Sequence, residues 1–514
     1  MSNEDRGPQV GAGPGRNPGR EAGERKDQMR VLFVTAEAVP FAKTGGLADV
    51  AGALPRALRD LGHDVALFLP FYRRAREKCG QDVTSTGIEL TIELDHQTIK
   101  PRVLATTLPD SDVKVYLLDH PPFYDREQLY GTPEGDYPDN AARFILFSKA
   151  AVALPKALGW QPTIYHCNDW QSALVAVYLR LAGATDTFYH PSRAVLTIHN
   201  LAYQGLFPAE TFALTGLDSS LFSPEGLEFY GKMNLLKGGI IFARVINTVS
   251  PRYAQEIQTA EFGCGLEGVL ASRADSLFGI INGIDYSVWD PATDPLIPAN
   301  YSAEDLSGKA VCKAKLQERS GLPGRPDLPL LGMISRLDAQ KGLGLLAEVL
   351  DDLAQLDIQF VLLGTGKQEF HDLFTEIGKR HPEKLSINIM FNNELAHQIE
   401  AGCDMYLMPS RYEPCGLNQL YSLKYGTVPI VRKTGGLADT IVNATPTALA
   451  KGTANGLSFA SYSAKALYNT VRRALRLYSD PRAWRRLMLT GMRQDWSWKK
   501  SATEYVRLYE RAFA

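Results

Sequence analysis

The sequence contains few cysteines, no excess charge of either sign and no long apolar run. Six cysteines are scattered over 514 residues, without a C-x-x-C pair or a His–Cys cluster at zinc spacing. Their scarcity argues against a disulfide scaffold and a structural zinc site and favours reduced thiols in the cytoplasm. A formal net charge of −2 argues against a protein that coats nucleic acid or an anionic membrane. No apolar run reaches the roughly 18 residues that a membrane-spanning helix needs.

The composition that remains is typical of folded domains. Hydrophobic residues make up 45% of the chain and charged residues 22%, and a chain of this length exceeds what one core usually organises, so we expect two or more domains. Residues 1–28 are an exception, since they are rich in glycine and proline and poor in large apolar side chains. We expect them to form a disordered leader, and they match neither a signal peptide nor an organellar transit peptide.

Strand-like runs and helix-like segments alternate along the rest of the chain. Val31–Thr35, a helical pattern from Val50 to Leu61 and Val65–Leu69 form a βαβ unit. Further predicted strands of the first half are Val113–Leu118, Thr163–His166, Ala194–His199, Val245–Val249 and Leu277–Ile281. Those of the second half are Leu330–Ile334, Gln359–Leu363, Leu385–Met390, Met405–Met408 and Val428–Val431. This alternation predicts an α/β protein with two doubly wound, Rossmann-like domains that face a cleft.

The domain boundaries follow from changes in composition. We expect a first domain over residues 29–289, a linker rich in proline, aspartate and alanine over 290–300, and a second domain over 301–495. Residues 496–514 carry large apolar side chains at helical spacing, which predicts an amphipathic closing helix.

Ligands of open α/β sheets bind beyond the carboxyl ends of the strands, so the turns there are candidate sites. In the turn Lys43–Gly46, Gly45 and Gly46 permit close backbone approach, and the following helix offers free N–H groups. Together with the charge of Lys43 they suit a phosphate. The turn is equally compatible with an ordinary tight turn and a solvated lysine.

A second candidate is the turn Ser335–Gly342, directly after a predicted strand. Its Arg336 and Lys341 would neutralise a pyrophosphate, Arg336 through bidentate hydrogen bonds from its guanidinium and Lys341 as a point charge. Two solvated surface cations remain the alternative.

The third candidate is the turn Ser410–Leu417. Pro414 at an early helical position, followed by Gly416, would expose N–H groups to an anion. Glu413 would hydrogen-bond hydroxyls or steady positive charge at the cleft. An ordinary turn with an exposed glutamate is the alternative, and Cys415 has no histidine nearby in sequence to make it a nucleophile.

Weaker signals complete the set. The G-x-G turn in Val361–Gly366 lacks the third glycine of a dinucleotide fingerprint, so we expect a strand-to-helix turn and no NAD site. The D-x-D pattern at Asp110 and Asp112 predicts a surface turn. His199 and Asp169 each follow a predicted strand, where a site and a purely structural role are equally open.

One seven-residue stretch occurs twice. The segment Lys43–Asp49 (KTGGLAD) recurs as Lys433–Asp439, but the flanking sequences differ, so it is not a repeat array. Both copies fall at a predicted strand-to-helix turn and are expected to meet similar backbone demands.

These motifs together resemble bacterial glycogen synthases and plant starch synthases, a family with the GT-B glycosyltransferase fold. The resemblance runs from Val31 to the closing helix. It includes, in order, Lys43–Asp49, Tyr137–Asn140, Thr197–Gly205 (TIHNLAYQG), Asn282–Asp285 with Trp289, Ser335–Gly342, Glu413–Leu417 and Lys433–Asp439. The family transfers glucose, usually from ADP-glucose, to the non-reducing end of an α-1,4-glucan with retention at the anomeric carbon. Its closing helix packs back on the first domain.

The resemblance implies roles for the candidate residues. Lys43, Gly45 and Gly46 match contacts to the donor phosphates, and Arg336 and Lys341 match the pair that stabilises the departing diphosphate. The N–H groups of Cys415, Gly416 and Leu417 match a phosphate cradle, and Glu413 matches the carboxylate that holds the sugar hydroxyls. The remaining matches are His199, Asp169 and Asn282, which line the glucose and acceptor side, and Phe391, which stacks on adenine in place of a tyrosine.

The chain departs from the wider pattern at Tyr421, where many GT-B enzymes have a second glutamate, so ribose recognition is expected elsewhere. Asn418 stands where threonine is frequent, and Cys264 lies in a loop that often carries tyrosine. We expect these changes to alter affinity or acceptor preference and not the class of reaction.

We therefore expect a glucan-elongating glucosyltransferase with no cofactor and no metal, acting by front-face or substrate-assisted displacement. A related GT-B transferase that uses UDP-glucose or a small acceptor is the alternative enzyme. A non-catalytic glucan-binding protein and a dehydrogenase are disfavoured by the intact cationic residues and by the missing glycine, respectively. Formation of a homo-oligomer stays open.

Overall fold

In the computed structural model, residues 28–132 and 134–514 are described. Residues 1–27 of the expected leader lie outside the described residues. None of the helices within the described ranges is both long and apolar enough to cross a membrane.

The first half of the chain builds a large mixed sheet. Its strands, in sheet order, are β16-β15-β11-β10-β1-β2-β7-β6-β3. Pairing is parallel from β16 to β7, whereas β6 and β3 are antiparallel to their neighbours. The strands, including those of small side sheets, are β1 (Arg30–Val34), β2 (Asp64–Pro70), β3 (Thr84–Glu89), β4 (Ile92–Leu94), β5 (Gln97–Ile99), β6 (Arg102–Thr107), β7 (Lys114–Asp119), β8 (Gly131–Thr132), β9 (Gly135–Asp136), β10 (Ile164–Asn168), β11 (Arg193–Ile198), β12 (Leu206–Pro208), β13 (Glu228–Phe229), β14 (Lys232–Asn234), β15 (Val245–Thr248) and β16 (Leu277–Gly279).

Helices connect these strands and cover the sheet. They are α1 (Gly46–Asp60), α2 (Arg73–Cys79), α3 (Pro121–Tyr124), α4 (Asn140–Leu158), α5 (Asp169–Ser172), α6 (Leu174–Thr185), α7 (Leu235–Phe242), α8 (Pro251–Glu256) and α9 (Glu267–Ser272). Separate apolar clusters lie on the two faces of the sheet, because alternate residues of the buried strand β1 point to opposite sides: Leu32 and Val34 to one, Val31 and Phe33 to the other.

The second half builds a smaller sheet that is parallel throughout, in the order β19-β18-β17-β20-β21-β22. Its elements are α10 (Ser307–Arg319), β17 (Leu330–Ile334), α11 (Leu343–Ala354), β18 (Gln359–Gly364), α12 (Gln368–Arg380), β19 (Leu385–Ile389), α13 (Asn393–Gly402), β20 (Met405–Met408), α14 (Asn418–Lys424), β21 (Val428–Arg432), α15 (Gly435–Thr440), α16 (Pro446–Lys451), β22 (Leu457–Phe459), α17 (Ala464–Tyr478) and α18 (Pro481–Met492).

The last helix, α19 (Trp498–Arg511), leaves the second domain and packs on the first sheet. Its Tyr509 hydroxyl lies 2.8 Å from Nδ1 of the buried His166, and its Tyr505 hydroxyl accepts a 3.2 Å hydrogen bond from Asn247. The segment that leaves the first domain lies beside the segment that returns to it. Ile284 forms a parallel β-bridge with Ser497, and the Ile284 N–H donates to the Trp496 carbonyl. The predicted α/β architecture with a returning helix is confirmed.

The segment expected as a linker is anchored to the second domain. Asp294 is buried and accepts hydrogen bonds from the Tyr425 hydroxyl at 2.6 Å and from Nδ1 of His397 at 2.8 Å. The ring of Trp289 stacks between the rings of His397 and Tyr421. The segment therefore fixes where the chain enters the second domain.

Candidate active site at the cleft

An ion pair between two predicted site residues joins two strand-to-helix turns of the second domain. Lys341 Nζ lies 2.9 Å from Oε1 and 2.8 Å from Oε2 of Glu413, and the Ser410 hydroxyl donates to Oε2 at 2.9 Å. Lys341 follows β17, and Glu413 follows the neighbouring strand β20. Gly342 permits the close packing of the two turns, because its φ is +73° and a Cβ there would lie 2.1 Å from the Pro409 carbonyl oxygen.

Arg336 lies next to this pair, as predicted. Burial lowers the pKa of its guanidinium, but the neighbouring Tyr203 hydroxyl and the carboxylates of Asp338 and Glu413 outweigh burial and raise that pKa. Arg336 is thus a fixed positive charge beside Lys341. Tyr203 belongs to the first domain, so this contact crosses the cleft.

The turn after Glu413 differs from the prediction in one respect. Pro414 is not at an early helical position, because Gly416 adopts a φ of +73° and α14 begins only at Asn418. Among the described residues, none accepts a hydrogen bond from the N–H groups of Cys415, Gly416 and Leu417. These N–H groups therefore remain available to an anion.

Cys415 is a structural residue. Burial raises the pKa of its thiol to about 12, although the backbone N–H of Asn282 donates to its sulfur. A neutral, buried thiol is a poor nucleophile. The side-chain Oδ1 of Asn282 is buried and has no hydrogen-bond partner among the described residues, so it is an unsatisfied acceptor.

The first KTGG turn is held by a glutamate that the sequence did not single out. Both carboxylate oxygens of Glu37 accept from Thr44, at 2.5 Å from its N–H and 2.6 Å from its hydroxyl, and Oε2 also accepts from the Gly45 N–H at 3.3 Å. Lys43 Nζ lies 2.6 Å from Asp49, and Gly46 approaches Leu417 of the other domain. The turn thus meets the Cys415–Leu417 segment across the cleft.

Asp169 and His199 lie together, as their positions after neighbouring strands predict. Asp169 Oδ1 accepts from the His199 N–H at 2.7 Å, and burial raises the Asp169 pKa to about 7. Burial lowers the His199 pKa to about 3, so its ring is neutral at physiological pH. Its Nε2 lies 2.9 Å from Oδ1 of Asn168, whose amide donates to two backbone carbonyls, so Nε2 carries the proton and Nδ1 is an acceptor.

The predicted adenine contact Phe391 and the replaced glutamate position Tyr421 are placed very differently. Phe391 follows β19 with 85% of its surface exposed, so its ring is accessible to a base. Tyr421 is buried, and its ring stacks on Trp289 with centroids 4.0 Å apart. The residue that replaces the second glutamate is therefore a packing residue.

Sequence reasoning missed Glu37, Tyr130, Tyr203, Tyr412 and Glu256. Tyr130 donates a 2.7 Å hydrogen bond to Glu37, and Tyr412 lies near the Asn200 side chain across the cleft. Tyr203 lies inside the TIHNLAYQG motif, which is a signal that could have found it. The other residues lie outside strand-to-helix glycine turns or beside stronger candidates.

The predicted surface turn at Asp110 and Asp112 is confirmed. Asp110 adopts a φ of +53°, and Asp112 forms an exposed ion pair with Arg59 at 2.7 Å. Within residues 28–132 and 134–514, no group of three or more His, Cys, Asp or Glu side chains is arranged to hold a metal ion.

Comparisons with known proteins find relatives along nearly the whole chain. Residues 30–272 match the family described as starch synthase catalytic domain, and residues 315–486 match glycosyl transferases group 1. The chain is 49% identical to a glycogen synthase of Koribacter versatilis, over 94% of this chain and 98% of that protein. It is also 49% identical to glycogen synthase 2 of Geobacter sulfurreducens, over 94% and 99% of the two chains.

A solved structure matches along nearly the whole length. The catalytic domain of starch synthase IV from Arabidopsis thaliana, bound to ADP and acarbose, superposes with a TM-score of 0.86 at 35% identity, covering 94% of this chain and 99% of that one. A sucrose-phosphate synthase from Thermosynechococcus elongatus, at 18% identity and a TM-score of 0.58, shares the fold. The order of motifs, the two facing domains and these matches show that the chain belongs to the glycogen synthase and starch synthase family.

Proposed function

We propose that this protein transfers glucose from ADP-glucose to the non-reducing end of an α-1,4-glucan, with retention at the anomeric carbon. The observation that carries the proposal is the arrangement of Arg336, Lys341 and Glu413, which places two cations and one carboxylate at the carboxyl ends of adjacent strands. The named relatives support it, since they are glycogen synthases and a starch synthase that binds ADP.

The two cations act on the leaving group. When the bond between the anomeric carbon and the diphosphate oxygen breaks, negative charge grows on the diphosphate, and Arg336 and Lys341 stabilise it without reorganising. Lys341 is already held by Glu413 and Arg336 by Tyr203, so both charges are oriented before the donor binds. The N–H groups of Cys415, Gly416 and Leu417 hold the same phosphates.

Bond formation occurs on the face that the diphosphate leaves. The O4 hydroxyl of the terminal glucose of the acceptor attacks the oxocarbenium-like anomeric carbon, and its proton passes to the departing diphosphate oxygen. Glu413, with its Lys341 and Ser410 partners, binds the hydroxyls of the transferred glucose and steadies its positive charge. This route needs no covalent glycosyl-enzyme intermediate.

The remaining candidates bind and orient the two substrates. Lys43 with Gly45 and Gly46 contacts the donor phosphates from the first domain, and Phe391 stacks on adenine. Asn282 Oδ1 accepts from a sugar hydroxyl, because it has no partner within the described residues. His199 accepts through Nδ1 on the acceptor side, where Asp169 fixes its backbone.

We also propose the domain limits predicted from composition, with domains over residues 29–289 and 301–495 joined by 290–300 and closed by 496–514. The two sheets fall on either side of the linker, and the Tyr203–Arg336 and Asn200–Tyr412 contacts join the domains across the cleft. A closed cleft protects the donor from hydrolysis.

The cysteines are free, which supports a reducing, cytoplasmic location.

The donor assignment is tested by incorporation of radiolabelled glucose into glycogen from ADP-glucose and from UDP-glucose at equal concentrations. We expect a higher kcat/KM with ADP-glucose and no product with a sugar phosphate as acceptor. Equal or better use of UDP-glucose would overturn the donor assignment, and transfer to the sugar phosphate instead of glycogen would favour the alternative transferase.

A further inference from the structure

The second KTGG turn is completed by a residue of the other domain. Oε2 of Glu256, at the end of α8 in the first domain, accepts from the Gly435 N–H at 3.0 Å and from the Thr434 hydroxyl at 3.1 Å. Glu256, Thr434 and Gly435 are all buried. The contact repeats in another domain what Glu37 does for the first turn within its own domain.

The same turn lies directly against the backbone of the Glu413 segment. The Gly436 N–H donates to the carbonyl oxygens of Glu413 and Pro414, both at 3.1 Å. A Cβ at Gly435 would lie 2.0 Å from the Glu413 carbonyl oxygen, and one at Gly436 would lie 2.0 Å from that of Cys415. Any shift of the turn therefore shifts the segment that carries Glu413 and the phosphate-binding N–H groups.

Helix α8 holds that segment at a second point. The Ser250 hydroxyl, at the N-cap of α8, accepts from the Tyr253 N–H at 3.0 Å and donates to the Pro414 carbonyl at 2.7 Å. The Arg252 N–H donates to Asp439 at 2.7 Å. One short helix of the first domain thus contacts the second KTGG turn, its helix α15 and the Glu413 segment.

The two carboxylate oxygens of Glu256 have different main partners. Its only cation within ion-pair distance among the described residues is Arg252, on its own helix, with Nε 3.2 Å from Oε1. The other oxygen is directed at Thr434 and Gly435. Removal of the carboxylate would leave a buried hydroxyl and a buried N–H without an acceptor, which is costly enough to displace the turn.

We propose that Glu256 is a positioning residue for the transfer reaction, which sets the alignment of Glu413 and its neighbours in the second domain with the acceptor side in the first. It acts through the second KTGG turn and touches neither substrate. The proposal rests on the proposed function, since alignment across the cleft matters only if Glu413 of the second domain holds the transferred glucose and the first domain holds the acceptor.

The test compares Glu256→Ala and Glu256→Gln with Gln255→Ala, a variant of an exposed neighbour whose side chain accepts a hydrogen bond from Arg252. We expect kcat for glucose transfer to fall about 100-fold in Glu256→Ala and about 10-fold in Glu256→Gln, which keeps one acceptor oxygen, and to stay unchanged in Gln255→Ala. The Kd for ADP should change less than about threefold, because Arg336 and Lys341, the cations proposed to bind the diphosphate, lie on a separate turn, Ser335–Gly342. Ser250→Ala, which removes the other tether, should also lower kcat.

Hydrogen exchange supplies a readout that does not depend on activity. The Gly435 amide should exchange faster in Glu256→Ala than in the wild type, with or without ADP. Faster exchange together with a wild-type kcat would overturn the proposal, because the contact would then be only structural. A rise in the Kd for ADP that matches the loss of kcat would also overturn it. Absence of transfer in the wild type would instead refute the proposed function, and the exchange measurement would still test the contact.

Discussion

The two copies of KTGGLAD have the same sequence and different surroundings. The first, Lys43–Asp49, opens α1 and has space before it, since a Cβ on Gly45 would meet no protein atom within 4 Å. The second, Lys433–Asp439, opens α15 against the backbone of Glu413–Cys415. The backbones differ as well, since Gly45 is extended with a φ of −156° whereas the equivalent Gly435 has a φ of +43°. The expected similarity of backbone demands is therefore wrong, and the same sequence faces open space in one domain and a protein segment in the other.

The copies also differ in the origin of the carboxylate that holds them. Glu37 reaches the first turn from the same domain, whereas Glu256 reaches the second turn from the opposite domain. The first turn is complete without the second domain, but the second turn is complete only when the domains are docked. One sequence motif can thus form a turn that is complete within its own domain in one copy, and a contact that joins the two domains in the other.

The largest expected difference between the copies is in stability. Gly436→Ala places a Cβ 2.0 Å from the Cys415 carbonyl oxygen, and we expect it to destabilise the protein by about 3 kcal/mol and to lower Tm by about 6–12 °C. Gly45→Ala fits an extended φ of −156° and should cost less than about 1 kcal/mol, while activity falls because the methyl group occupies the path of the phosphates. Thermal unfolding and glucose transfer of both variants measure the contrast. Equal Tm values would contradict it.

The two lysines should differ in catalysis. Lys43→Ala removes a charged contact to the donor phosphates worth about 1.5–3 kcal/mol, so kcat/KM for ADP-glucose should fall about 10- to 100-fold. Lys433 lines a separate cavity of about 410 Å³ with Arg252 and Arg432 at the domain boundary, and Lys433→Ala should change kcat/KM less than about threefold. Similar losses in both variants would show that the copies share a role.

The smallest expected effect is a pH dependence on the side of the first copy. Burial, with a minor contribution from the nearby Glu37, raises the Asp169 pKa from 3.8 to about 7. The folded state then binds the proton more tightly than the unfolded state, so this group lowers stability as pH rises from about 4 to about 7 and has no further effect above that range. Asp169→Asn keeps the acceptor for the His199 N–H and should reduce the slope, so its Tm should rise relative to the wild type as pH increases from 4 to 7. A constant Tm difference over that range would show that Asp169 is not the titrating group.

The fold was largely readable from the sequence, because buried parallel strands are continuous apolar runs. Leu330–Ile334 and Met405–Met408 were predicted with the observed limits. The antiparallel strands β6 and β3, at one end of the first sheet, were missed, because half-exposed strands rich in threonine give only weak alternation. The prediction that Pro414 lies at an early helical position was wrong, because the sequence does not indicate the positive φ of Gly416 two residues later.

The charged centre of the site was predictable because its turns supply both charge and glycine. Arg336, Lys341 and Glu413 satisfy that condition, and the structure brings them together. Glu37 and Glu256 do not, since each lies in an ordinary segment and becomes important only through a contact made in space. The contact of Glu256 spans 179 residues of chain, and no local pattern encodes it.

The central claim is that Arg336 and Lys341 stabilise the departing diphosphate. The measurement that tests it most directly is kcat for glucose transfer from ADP-glucose to glycogen by Arg336→Ala and Lys341→Ala in EDTA, with Arg325→Ala, which removes an exposed ion pair with Asp327, as the control. We expect wild-type and control activity to persist in EDTA and kcat of each of the other variants to fall about 10²- to 10³-fold. Abolition of wild-type activity by EDTA, or undiminished kcat in both variants, would contradict the claim.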